Sequence, residues 1–104
     1  MAEQARDALW RTEALLRLWQ DYHQRFSTAR SSALLLRLVD DLFEYPVLTV
    51  PRAARRLGIT HRAASLNIQK LVGAGLLEEV TGRTRYRLFV AQAIIDLADM
   101  QRGE

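Results

Sequence analysis

Mainly α with one small β-hairpin is the fold class that the sequence predicts, and three observations predict it. Two short apolar-faced segments, 50–57 and 61–72, are joined by a turn built on Gly58. Two strand-like runs, 76–80 and 85–90, flank a Thr81-Gly82-Arg83-Thr84 turn. An opening stretch, residues 3–26, contains neither glycine nor proline and repeats apolar residues at spacings of three and four. The chain has 104 residues, 49% hydrophobic and 26% charged, which is the balance of one globular domain. A domain of that size buries roughly 65% of its unfolded surface, enough for one modest core and too little for an enclosed enzyme cleft.

The opening stretch reads as one long helix. One apolar row holds Leu9, Leu16, Trp19 and Phe26, with Ala5, Thr12 and His23 between. A second row holds Ala8, Leu15, Leu18 and Tyr22 and widens the stripe beyond what a peripheral helix of a small domain needs. Two readings stand side by side: the helix packs on its own core, or part of it meets a second subunit or a neighbouring domain. Trp10, Trp19 and His23 are expected as core or interface residues, not as a ligand cage or a catalyst. Residues 1–28 are therefore taken as an N-terminal helix, linker or dimerisation element, and 29–104 as the main domain.

Ser27-Thr28 interrupts the pattern, and a second helix is expected from about Ala29 to Glu44, with Leu35, Leu38, Val39, Leu42 and Phe43 inward. Tyr45-Pro46 ends it, because the residue before proline avoids the helical region. Val47–Val50 can form a very short strand. Thr49 then suits an N-cap, and Pro51 sits in the first turn, where its missing N–H does no harm. Gly58 supplies a left-handed turn, and Thr60 caps the next helix. That helix, to about Val72, turns Ala64, Ile68, Leu71 and Val72 inward, and Gly73-Ala74-Gly75 closes it. Small Ala53 and Ala54 let the two short helices approach closely. This is the spacing of a helix-turn-helix. The hairpin after it places Arg83, Arg85 and Arg87 on one face and Tyr86 and Leu88 on the other. A basic hairpin in that place is the wing of a winged helix-turn-helix. A last helix over 91–101 carries Ile94, Ile95, Leu97 and Ala98.

Charge follows the same division. Net charge is +3, yet residues 1–48 carry −1 and residues 49–104 carry +4. Between Arg52 and Val90 stand eight basic residues and two acids. Such concentration is the pattern of an electrostatic footprint for an anionic partner, and double-stranded DNA fits the motif. In a helix-turn-helix the second helix enters the major groove. Its outward face holds Arg62, Leu66, Gln69, Lys70 and Gly73, flanked by His61 and Ser65. Arg62 can pair bidentately with guanine and Gln69 with adenine. Ser65 can bond base or phosphate, and the helix start at Thr60 can hold a phosphate. Leu66 suits a thymine methyl or a protein contact. Arg52, Arg55 and Arg56 on the first helix, with Arg83 and Arg85 in the wing, are expected at phosphates or in the minor groove, where contacts give affinity and salt dependence. Arg87 has a second reading as the partner of Glu78 or Glu79.

Leu42–Val50, Ala54–Thr60, Ala64, Ile68–Val72, Gly75-Leu76-Leu77 and above all Val80-Thr81-Gly82-Arg83-Thr84-Arg85-Tyr86-Arg87-Leu88-Phe89 resemble the C-terminal winged helix of Fic-family proteins. The turn of the motif is similar as well to the MarR-like winged-helix group. The resemblance spans about residues 30–97. Fic proteins transfer AMP from ATP to hydroxyl side chains, through a motif that begins His-Pro-Phe and continues through Gly-Asn-Gly-Arg. Here Gln24 follows His23 and Arg62 follows His61, so no catalytic residue carries over. The resemblance implies a regulatory C-terminal module, with a Fic catalytic domain as a partner outside this chain.

Other functions find little to attach to. Cysteine is absent, which excludes disulfide frameworks, thiolate nucleophiles and zinc–cysteine sites. The two histidines have no carboxylate at metal-ligand spacing. Apolar runs such as Ala33–Leu36 fall far short of the roughly 20 residues of a membrane span. The first residues have no signal-peptide pattern. The expectation is a cytoplasmic DNA-binding regulator without enzyme activity, metal or cofactor, forming a homodimer through its first helix. The alternative is a protein-interaction module that positions a Fic AMP-transferase domain.

Overall fold

Helix breaks in this chain fall where the local sequence supplies a cap or removes a donor. The computed structural model describes residues 2–27, 32–82 and 87–99. Among these lie helices α1 (Ala2–Phe26), α2 (Ser32–Glu44), α3 (Val50–Leu57), α4 (His61–Gly73) and α5 (Gln92–Asp99). Three two-residue strands accompany them: β1 (Val47–Leu48), β2 (Glu78–Glu79) and β3 (Phe89–Val90). Mainly helical with a small antiparallel sheet, this is the winged helix-turn-helix architecture. The expected start of α2 at Ala29 lies outside the described residues.

Local chemistry sets the boundaries of α3 and α4. Thr49 is extended at φ −120°, and its hydroxyl accepts the Arg52 N–H at 3.3 Å. Gly58 adopts φ +67°, and the Ile59 N–H returns to the Ala54 carbonyl at 3.0 Å. Thr60 then caps α4 by accepting the Ala63 N–H at 3.1 Å. At the far end of α4 the Leu76 N–H reaches the Leu71 carbonyl and the Gly75 N–H reaches that of Val72, both at 3.0 Å, with Gly75 at φ +82°. This pair of bonds satisfies carbonyls that a helix end otherwise leaves open.

The sheet is smaller and more non-local than the hairpin expected from the sequence. Strand order is β1-β3-β2, both pairings antiparallel, with Val47 opposite Val90 and Glu78 opposite Val90 on the other side. Residues 76–80 were expected as one strand. Leu76 and Leu77 instead direct their N–H groups back to the Leu71 carbonyl, so their backbone belongs to the helix cap. Both side chains plug the core. Beyond β2 the ladder gains one more bond, from the Val80 N–H to the Leu88 carbonyl at 2.9 Å. Of the expected 85–90 strand, Arg85 and Tyr86 lie outside the described residues, and β3 covers Phe89–Val90.

The core gathers Leu35, Leu38, Val39 and Leu42 of α2, Ala53, Ala54 and Leu57 of α3, Ala64, Ile68 and Leu71 of α4, with Phe89 and Ile94 behind them. α1 joins through its C-terminal half: Tyr22 and Phe26 are buried, and Leu15 and Leu18 pack against the same core. The second apolar row of α1 is thus the inward one. Of the first row, Phe26 is buried while Leu16 stays 52% exposed; Trp10, elsewhere on the helix surface, is exposed to the same degree. A polar clasp fixes α1 to α2. The Trp19 indole Nε1–H donates to Asp40 Oδ1, and His23 Nε2 lies against the same oxygen, each at 2.7 Å. No described helix is long and apolar enough to cross a membrane.

Candidate nucleic-acid interface

Helix α4 has two chemically opposite faces. Ala64, Asn67, Ile68 and Leu71 are buried and hold the helix on α3 and α2. Arg62, Leu66, Gln69 and Gly73 recur at helical spacing on the outer side, and all four are exposed. His61 and Lys70 are exposed beside them, and Ser65 is half-buried at the edge. Leu66 is 58% exposed, a large apolar side chain in the middle of polar neighbours. The Thr60 hydroxyl oxygen accepts the capping bond, which fixes Thr60 at the start of the helix.

The arginines of α3 separate into two settings. Arg56 turns to α2: its Nη2 lies 2.8 Å from Asp41 Oδ1 and 3.9 Å from Glu44 Oε2. Hydrogen bonding to Asp41, and then the charge of that carboxylate, push the Arg56 guanidinium above its ordinary range. The Arg37 side chain also donates to the Arg56 carbonyl at 3.3 Å. Much of the Arg56 charge is therefore answered within the chain. Arg52 and Arg55 instead line a shallow cleft with Tyr45, Val47, Leu48, Thr49 and Leu88, the last from the returning arm of the wing. Arg52 lies over the Tyr45 ring, 4.3 Å from its centroid. Arg55 and Arg62 form no ion pair among the described residues.

The base of the wing is organised by Glu79. Its carboxylate accepts the Thr81 N–H, the Thr81 hydroxyl and the Gly82 N–H. Arg87 Nη2 approaches it at 3.7 Å. Hydrogen bonding from the Thr81 hydroxyl is the main reason that the carboxyl titrates below its ordinary value; burial opposes it next in size, and the N–H groups of Gly82 and Thr81 and then the charge of Arg87 add to the lowering. Arg87 thus takes the internal partner that its second reading anticipated, Glu79 and not Glu78. Arg83 and Arg85, expected in the wing, lie outside the described residues.

Three features escape a reading of residue types alone. Asn67 stands on the inner face of α4, where its amide donates to the Ala63 carbonyl at 2.9 Å and its Oδ1 is buried without a partner among the described residues. Its spacing of three from Ala64 and four from Leu71 was the available signal. The Glu79 clamp and the Tyr45 shelf under Arg52 carried no such signal. Among the described residues no group of three or more side chains is arranged to hold a metal ion.

Residues 35–89, just over half of the chain, match a family model described as "HTH DNA binding domain". Among solved structures the chain is similar to a MarR family transcriptional regulator from Silicibacter pomeroyi DSS, with a TM-score of 0.54 and 22% identity. That similarity covers 88% of this chain and 63% of the other, so it speaks for the shared fold. No match is found among curated proteins.

Proposed function

Because the chain belongs to the helix-turn-helix DNA-binding domain family, we propose that it is a transcription regulator that lays the outer face of α4 in the major groove of double-stranded DNA. The observation that carries this reading is the polarity of α4: a sealed inner face and an outer row of Arg62, Leu66 and Gln69. Arg62 offers a bidentate donor pair to guanine, Gln69 offers donor and acceptor to adenine, and Leu66 meets the methyl of thymine. His61, Ser65 and Lys70 border that row and reach base or backbone. Arg52 and Arg55, with Arg83 and Arg85 in the wing, neutralise phosphates. Arg56 contributes less, since Asp41 competes for it.

Within the same proposal the chain acts as a homodimer through α1, supported by the exposed Trp10 and Leu16. It works in the cytoplasm and has no catalysis of its own. The test is fluorescence anisotropy with mixed-sequence duplexes of about 20 base pairs, two turns of the helix. Affinity falls steeply with salt, and Arg62→Ala weakens it further; failure of the wild-type chain to bind any duplex at low salt refutes the reading.

A second reading rests on Leu66 and the uncovered apolar residues of α1, which also suit a protein surface. It makes the chain a regulatory module that positions a Fic AMP-transferase domain, as the resemblance of residues 30–97 implies. A complex with such a domain that survives nuclease and high salt supports it, and absence of the complex removes it.

A further inference from the structure

Tyr45 is an aromatic residue that the core does not use. It stands between α2 and β1, half exposed at 50%, and belongs to no buried cluster. Its ring underlies the guanidinium of Arg52 at 4.3 Å. Stacking engages the flat face of a guanidinium and leaves the N–H groups around its edge available for an oxyanion. Arg52 occupies the first turn of α3, where its own backbone N–H is held by Thr49. Its stem is thereby fixed at one end and its head at the other. Arg55 opens onto the same cleft, and none of the described residues lining that cleft is a carboxylate. Arg56, also on α3, shows the contrast: there Asp41 already fills the role of the anion.

We propose that Tyr45 is a positioning residue, holding Arg52 flat so that Arg52 and Arg55 together seat one DNA backbone phosphate between the start of α3 and the returning arm of the wing. The inference rests on the DNA-binding reading and deepens it. Preorganisation is the source of the effect, because an arginine already immobilised loses less rotamer freedom when it meets the phosphate. Tyr45 itself donates nothing to the anion here.

The experiment is a double-mutant cycle on the full chain, with duplex affinity measured across a range of salt concentrations. Tyr45→Ala weakens binding about three- to tenfold, the effect of one side chain left to be ordered on binding. Tyr45→Phe retains wild-type affinity, because the ring and not the hydroxyl carries the stack. Arg52→Ala lowers the slope of log K against log salt by about 0.9, one phosphate contact. In the Arg52→Ala background, Tyr45→Ala has no further effect. A spectroscopic readout stands apart from DNA: the Arg52 side-chain protons lie upfield by ring current in the free protein, and Tyr45→Ala abolishes that shift. Equal weakening by Tyr45→Ala with and without Arg52 makes Tyr45 a direct contact and overturns the inference. So does duplex binding that Arg52→Ala leaves unchanged. Absence of any duplex binding by the wild-type chain removes the DNA reading itself, and this inference with it.

Discussion

Replacing Ala53 by leucine tests the close approach of α3 and α4. Ala53 is fully buried, and it lies in one cluster with Ala64, Ile68 and Leu71, none of which has any exposed surface. Leucine adds three carbons at a position with no exposed surface to extend into. Overpacking of this kind costs about 1–3 kcal/mol, through off-rotamer side chains and shifted backbone. For a domain of about 100 residues each kcal/mol moves the midpoint of melting by roughly 4–8 °C. The expected fall is therefore between about 4 and about 24 °C, read by circular dichroism or calorimetry. Arg55→Leu is the control, placing the same side chain on the exposed side of the same helix, and its effect stays within about 0.5 kcal/mol. The strain is relieved most directly by displacing α4, so duplex affinity falls in Ala53→Leu even at temperatures where the protein is fully folded. An unaltered melting curve, or equal falls of the melting midpoint in the two variants, refutes the claim that the alanines set the distance between these helices.

Gly58→Ala isolates the turn of the helix-turn-helix. Gly58 sits at φ +67° with nothing within 4 Å of the position of a Cβ, so the whole penalty is backbone strain. It amounts to about 1–2 kcal/mol, visible as a lower urea midpoint at constant m-value; an unchanged midpoint contradicts the assignment. The wing base responds to acid through Glu79. Its folded carboxyl titrates below the ordinary value of 4.5, mainly because Thr81 hydrogen-bonds the charged form. Its contribution is therefore complete above that value and is lost as pH falls through the lower folded value. Amide exchange at Thr81 and Gly82 accelerates in that acid window in the wild type. Loss of protection already above pH 4.5 runs against the reasoning.

Much of the helical framework was legible because caps are local. Thr49, Pro51, Gly58 and Thr60 act through dihedral angles and hydrogen bonds within a few residues, so the order of residues suffices to place α3, the turn and α4. The two faces of α4 were legible for a similar reason, since helical spacing alone separates Ala64, Ile68 and Leu71 from Arg62, Leu66 and Gln69. Tertiary structure decided what depends on distant partners. It turned Leu76 and Leu77 from strand residues into cap and core, and it gave β3 a second neighbour in β1, more than forty positions away in the chain. It also sorted the arginines: Arg56 to Asp41, fifteen residues earlier, and Arg52 to the Tyr45 ring. A charge count along the sequence treats those two side chains alike. Their difference arises from how α2 crosses α3, because an arginine in contact with a carboxylate is already answered, whereas one laid on an aromatic face keeps its donors for another anion.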